Sequence, residues 1–500
     1  LRRSAFRCAH GLALALAAGG AASCRAVGPE YEPPPIALPA HYQGASAEDA
    51  SASPSEAALS ASLAQWWHGL DQAQLPLLIE RALAANLELE ATRARLRESR
   101  ALLRVAGAAL GPELSAHARY ERQRRSEIGS IPISSQREDD FFELGFDASW
   151  ELDLFGGLER AREAALAEHE ARAADAFAAR LSVCAEVARQ YVELCGAGER
   201  LALLRESIAS QAEALELLAA RTDAGLSGEL DLVRAQAQLQ DTRARAPELE
   251  AALALRTHAL AVLLGQPPAA APDWARSPAP IPAPRALPEA GLPSELLARR
   301  PDLLRAEREL AAQSARIGVA QAELYPRVAL NAGLGARESE LGELGTGGAR
   351  YWSIGPTLAL PLFNGGALRA GVEAARARAE QAALAYRQLA LVALREVEDA
   401  FAARAAQKQR ADWLAQSAAS AQRSLALASE LYERGLEDYL AVLDARRASI
   451  DARDALAQSR VQFALEHIAL CKALGGGWDA LATHELAQAL AASESEERAR

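Results

Sequence analysis

Four stretches of this chain alternate apolar and polar residues with a period of two. In the first, Leu114, Ala116, Ala118 and Tyr120 alternate with Ser115, His117, Arg119 and Glu121. In the second, Leu144, Phe146, Ala148, Trp150 and Leu152 alternate with Glu143, Gly145, Asp147, Ser149 and Glu151. Val328, Leu330, Ala332 and Leu334 form the third, and Trp352, Ile354, Pro356, Leu358 and Leu360 the fourth. Each run covers about nine to eleven residues, the length and pattern of a membrane-spanning strand with apolar side chains outward and polar ones inward. Without a membrane, the same pattern would describe two half-buried hairpins on a soluble domain.

Elsewhere the period is helical. Leu75–Leu110 predicts one helix, ended by Gly111-Pro112. Leu158–Arg221 and Ala367–Arg434 contain no Pro and predict helices of roughly 90–100 Å at about 1.5 Å per residue, a length met in coiled coils. Each reaches a Gly turn, Ala224-Gly225 or Arg434-Gly435, and a return helix follows, Glu229–Leu264 or Tyr439–Leu474. Glu168/Arg172, Glu295/Arg299 and Glu430/Arg434 have the spacing of solvated ion pairs on one helix face.

These elements occur twice. Asn86–Leu114 aligns without a gap to Arg300–Val328, and Leu152-Asp153-Leu154-Phe155-Gly156-Gly157 echoes Leu360-Pro361-Leu362-Phe363-Asn364-Gly365-Gly366. Gly225-Leu226 with Leu230, Leu232 and Ala235 matches Gly435-Leu436 with Leu440, Val442 and Ala445. The expected organisation is a signal peptide (1–23), an extended N-terminal segment (24–74), repeat 1 (75–265), a Pro-rich linker (266–292), repeat 2 (293–474) and a C-terminal tail (475–500). Each repeat reads helix, strand, strand, very long helix, turn, long helix, as in an internal duplication.

Composition narrows the function. Of 500 residues, 50% are hydrophobic but only 5% aromatic, which favours closely packed Ala-rich helices over ring-filled cores. A formal net charge of −12 offers no electrostatic footprint for nucleic acid. Arg2, Arg3 and Arg7 precede a short apolar run, Gly11–Ala18, and then Ala21-Ala22-Ser23-Cys24, a secretory signal too short to span a bilayer. Its end fits an ordinary signal peptidase site. It also fits a lipobox with Ala21 in place of the common Leu, and the residues after Cys24 favour the lipobox. Cys184, Cys195 and Cys471 show no metal spacing, and one disulfide among them is open. No catalytic motif or cofactor site stands out: Gly345-Thr346-Gly347-Gly348 lacks the Lys and the following helix of a phosphate loop.

One chain supplies four strands, too few to close a barrel, and an open edge in lipid costs several kcal/mol per unpaired group. Three chains would supply twelve, a normal barrel size. The matched repeats, the Phe-Gly-Gly and Phe-Asn-Gly-Gly turns and Tyr439-Leu440-Ala441-Val442-Leu443-Asp444-Ala445 resemble the TolC-like outer membrane factors. The segment Cys24–Tyr31 resembles their lipoprotein branch, of NodT type. The resemblance covers about residues 24–474 and implies a mainly α, mixed α/β membrane protein. That protein would be a homotrimer sharing a twelve-stranded β-barrel continued by a periplasmic α-helical barrel. Implied partners are a periplasmic adaptor, an inner-membrane transporter of the resistance-nodulation-division class and outer membrane lipid, with no cofactor.

The resemblance also assigns residues. Cys24 would carry the lipid. Leu440 and Asp444 would line the closed aperture, with Arg447 as a latch partner for a carboxylate. Arg221, Gly225, Leu226, Arg434, Gly435 and Leu436 would mark the hairpin tips and meet the adaptor. Tyr120, Trp150 and Trp352 are candidates for the lipid-facing aromatic belt. Asp444 and Arg447 also read as ordinary helix-surface charges, and the Trp residues as core. The expected function is a passive exit duct for small molecules in a tripartite efflux system. The alternatives are a duct for type I protein secretion and a periplasmic coiled-coil scaffold without a pore.

Overall fold

In the computed structural model, residues 26–44, 63–124, 138–270, 278–284 and 292–478 are described. The expected signal peptide, Cys24 and most of the C-terminal tail lie outside them. The helices are α1 (Gln74–Ala85), α2 (Leu87–Ala108), α3 (Gly157–Asp223), α4 (Glu229–Ala244), α5 (Ala246–Leu263), α6 (Pro301–Ala322), α7 (Ala367–Glu433) and α8 (Tyr439–Ala473). A one-turn helix, Leu296–Arg299, precedes α6. The strands are β1 (Glu113–Arg124), β2 (Glu138–Leu152), β3 (Arg327–Glu338) and β4 (Arg350–Ala359).

All four alternating segments are strands, and α3 and α7 each run 67 residues without a break. Two expected helices are split. The first breaks at Asn86, whose extended backbone ends α1 and whose Oδ1 accepts the Glu88 and Leu89 N–H groups at 3.0 and 3.2 Å. Its Nδ2 donates to the Leu263 carbonyl at 3.1 Å, so Asn86 caps α2 and ties it to the end of α5. The return helix after Gly225 breaks at Arg245 because Pro247, without an N–H, is accommodated only in the first turn of α5.

The chain forms two compact units, and both repeats contribute to each. The described residues of the unit with the sheet fall within 26–35, 95–173 and 305–387. Its strands are antiparallel in sequence order, so β1 and β4 are open edges. Leu114 pairs with Ala148, Phe146 with Leu334 and Leu334 with Trp352, placing the apolar positions of all four strands on one face. Below the sheet, Ala167 of α3 packs on Ala311 and Ala312 of α6, beside Tyr31. The N-terminal segment hugs this surface. Val27 N–H donates to the Phe155 carbonyl at 3.0 Å and Arg160 Nε to the Val27 carbonyl at 3.1 Å. A Cβ on Gly28 (φ +101°) would meet Gly318 Cα at 2.5 Å, so the close approach requires glycine.

The described residues of the other unit fall within 36–94, 174–304 and 388–478. Its main core packs Trp66, Trp67 and Leu70, and Leu75, Leu78 and Ile79 of α1, against Val183–Cys195 of α3 and the ends of α5 and α8. Cys184, Cys195 and Cys471 are free and buried in this core, so no disulfide joins them. Burial pushes the Cys184 and Cys195 thiols up to about 12. They act as small hydrophobes. Residues 278–284 of the Pro-rich linker lie docked: Pro278 fills the space beside Gly198, and Ile281 N–H donates to Glu199 at 3.2 Å.

Candidate functional site: a two-faced sheet and two hairpin tips

The sheet's two faces have opposite chemistry. On one, Leu114, Leu144, Phe146, Leu334, Trp352, Ile354 and Leu358 are exposed, with Trp352 at 75%. A soluble hairpin would bury this face, and among the described residues no element covers it. The other face is a polar network. Glu143 accepts from Arg337 at 2.7 Å and from the Tyr351 hydroxyl at 2.9 Å, and His117 Nδ1 lies 2.9 Å from Asp147. Ser149 donates to Asn331 at 3.0 Å, and Asn331 donates to Thr357 at 2.9 Å. Strand alternation keeps the two sets apart. An Arg on a lipid face costs about 2–4 kcal/mol at the bilayer midplane, so the network belongs on the wet side.

Of the three belt candidates, Trp352 is fully presented on the apolar face. Tyr120 lies against Phe142 (centroids 4.8 Å apart), and its hydroxyl donates to Asp140 at 3.0 Å. Trp150 donates its ring N–H to the Leu110 carbonyl at 2.9 Å, satisfying a group freed where α2 ends.

Both tips close in the same way. Gly225 and Gly435 have φ +72°, the left-handed region that glycine enters freely. Leu226 N–H donates to the Arg221 carbonyl at 2.8 Å and Leu436 N–H to the Leu431 carbonyl at 2.9 Å. Gly225 and Gly435 N–H groups bond Thr222 and Tyr432 carbonyls at 2.9 and 3.0 Å, completing Schellman closures. The helix starts after the tips differ. Asp438 caps α8 by accepting from Ala441 N–H at 3.0 Å, whereas Gly228 before α4 has no side chain to do so. Leu218, Ala235, Tyr439, Val442 and Leu443 form the tip core. Tyr432 sits between the Arg221 guanidinium (5.0 Å) and the Tyr439 ring (5.1 Å).

Leu440 and Asp444 lie one helical turn apart on α8 and are both exposed, unlike Val442 and Leu443. Among the described residues, Asp444 has no ion-pair partner. Arg447 donates to Gln238 of α4 at 2.9 Å, a neutral partner, and not to Asp444. Arg434 pairs with Glu430, while Leu226 and Leu436 project outward. The spaced pair Glu295/Arg299 forms at 2.8 Å, and Glu168 meets Arg316 of α6.

Interhelical pairs carry no local signal in the sequence, among them Arg200–Asp454 at 2.6 Å, Arg245–Asp451 at 2.9 Å and Arg453–Glu206 at 3.0 Å. They hold α8 to α3 and to Arg245 at the α4–α5 junction. Local spacing carries no signal for partners more than two hundred positions apart.

An uncovered apolar sheet face backed by a polar one, on a scaffold of very long helices, defines a channel-forming outer membrane protein. The chain belongs to the outer membrane efflux protein family, whose profile matches residues 78–266 and 292–476, one stretch in each repeat. It is 34% identical to outer membrane protein OprJ of Pseudomonas aeruginosa over 90% of this chain and 92% of that one. It is 30% identical to nodulation protein T of Rhizobium leguminosarum bv. trifolii over 91% and 95%. The solved outer-membrane channel OprN superposes with a TM-score of 0.81 at 34% identity, covering 91% of this chain and 99% of that one. The fold is therefore TolC-like, and the protein is an outer membrane efflux channel with a periplasmic part. Its relatives are channel or transport proteins rather than enzymes, and a place in an efflux pump implies an adaptor and an inner-membrane transporter.

Proposed function

We propose that three copies of this chain close one twelve-stranded barrel and form the passive exit duct for small molecules in a tripartite pump. The observation that supports this most is the four-stranded sheet with two open edges and an uncovered apolar face. In lipid, unpaired edge groups cost several kcal/mol each, and only closure removes them. The network around Glu143 and His117 then lines a wet lumen, and Tyr120, Trp150 and Trp352 serve the aromatic belt. Cys24 carries the lipid, which adds to the anchorage supplied by the barrel. The transporter is of the resistance-nodulation-division class, and the adaptor docks at Arg221, Gly225, Leu226, Arg434, Gly435 and Leu436.

The gate is at the second tip. Three Leu440 side chains form an apolar constriction, and three Asp444 carboxylates below it form a ring of like charge that is easily biased open. Exposure of both residues and the absence, among the described residues, of a cation paired with Asp444 support this. Arg447 is positioned by Gln238 to take a carboxylate when the tips move.

The test is planar-bilayer recording of the purified protein with its mass determined in detergent. A trimer with low conductance, raised by Asp444→Ala, is expected. A trimer whose conductance Asp444→Ala leaves unchanged would remove the gate assignment. Absence of conductance in both proteins would favour the scaffold.

A further inference from the structure

In the unit that carries the main core, α3 and α5 of the first repeat and α7 and α8 of the second surround a polar cavity of about 480 Å³. Small residues make the room: Gly196 and Ala197 on α3, Ala252 on α5 and Ser459 on α8. A Cβ on Gly196 would meet Val461 Cγ2 at 2.3 Å, so α3 and α8 approach here only because position 196 lacks a side chain. The volume is in the range of sites for small organic molecules, about 300–1,000 Å³.

Three guanidiniums, from Arg200, Arg256 and Arg410, and one carboxylate, Glu193, line the cavity. Arg200 donates to Asp454 through Nε and Nη2 at 2.6 and 3.1 Å, which leaves Nη1 out of that pair. Arg256 Nε lies 2.9 Å from Glu193 Oε2, while Glu193 Oε1 accepts from Arg189 at 3.0 Å. Arg410, exposed on α7, has no ion-pair partner among the described residues. Ser459 is 2% exposed, and its hydroxyl makes no hydrogen bond among the described residues. A buried mid-helix hydroxyl ordinarily bonds the carbonyl one turn back. Thr242 and Thr257 do so, donating to Gln238 and Leu253 at 2.9 and 2.8 Å. Ser459 instead faces the cavity, and the Gln407 side-chain oxygen on the α7 wall is likewise without a partner.

We infer that this cavity binds a small hydroxylated organic anion with more than one carboxylate or phosphate group. Its acid oxygens accept from Arg410, from the free edges of Arg200 and Arg256 and from the Ser459 hydroxyl. Its own hydroxyl donates to Gln407. Charge-assisted bonds of this kind are the strong ones, and a guanidinium fork suits an acid group. Several acid groups are called for because the cations stand on three different helices and a single phosphate would fill little of the space. A ligand held by all four helices joins the hairpins of the two repeats. The inference stands apart from the shared barrel and the gate proposed above.

Citrate is the probe, titrated calorimetrically into the full-length channel in detergent at neutral pH, with sodium chloride at equal ionic strength as the reference. Citrate is expected to bind once per chain and to raise the melting temperature saturably. Arg410→Gln should weaken binding by about tenfold or more, the order expected for one hydrogen bond to a charged group. Ser459→Ala should also weaken it, while leaving the citrate-free protein as stable as wild type or more so, because it removes a hydroxyl without a partner. Lys408→Gln, which removes an exposed cation of α7 outside the cavity, should bind citrate as wild type does. Absence of citrate binding would overturn the inference and leave the cavity to water. Equal stabilisation of wild type and Arg410→Gln would also overturn it, since exclusion of citrate from the surface acts on both alike. Inorganic phosphate bound as tightly as citrate would overturn the assignment to an anion with several acid groups.

Discussion

His467 is buried in the main core, where burial and the nearby Arg404 charge push its pKa down to about 4. In the unfolded chain a His titrates near about 6.5. Between these values the unfolded state binds a proton that the folded state does not, so stability falls as pH drops from about 6.5 towards 4. Thermal melts across this window should show that loss, and His467→Leu should flatten it. An unchanged slope would mean that His467 is not the group responsible. Gly435 is a second residue-scale test. A side chain at φ +72° costs about 1–2 kcal/mol, so Gly435→Ala should lower the melting temperature of the helical part, with Gly371→Ala, an exposed position in α7, unaffected or raised. These two residues differ in legibility. The Gly435 turn is visible because glycine ends a long periodic run. The state of His467 is not, because burial by distant helices sets it.

Elements were read well where one principle dominates. Period-two alternation located all four strands, and the absence of Pro marked α3 and α7 as unbroken helices. The split at Asn86 was hidden because the apolar period continues across it, while tertiary contact with Leu263 decides the local backbone. Pro247 was in plain view, and the helical period around it masked the break. Asn86→Ala should therefore cost about 1–2 kcal/mol, since it removes the cap and strands two N–H groups beside the core. Chemical denaturation of the purified channel, compared with Asn86→Asp, checks this: the Asp variant should recover much of the loss by capping. If Ala and wild type unfold alike, the cap is dispensable. The Pro-rich composition of the linker and of the extended N-terminal segment predicts no docking. Their docking on Gly198 and Gly318 depends on small residues far away in sequence, which local composition does not register.

At the scale of the molecule, the duplication was the strongest signal. It carried the architecture, and the family profile matches the two repeats separately. The candidate site was legible in outline. Gly225, Gly435 and their flanking Leu residues stand at the turns, and Leu440 and Asp444 share an exposed face. The ion pairs holding α8 in place were not legible, since Arg200, Arg245 and Glu206 find their partners only after the hairpins pack. This channel is the outer membrane channel of an efflux pump. The most direct measurement is susceptibility of a deletion strain to antibiotics, dyes, detergents, solvents and metal salts, with and without the gene restored. Sensitisation that the restored gene reverses is the predicted result. Unchanged susceptibility together with loss of a secreted protein from the medium would contradict it.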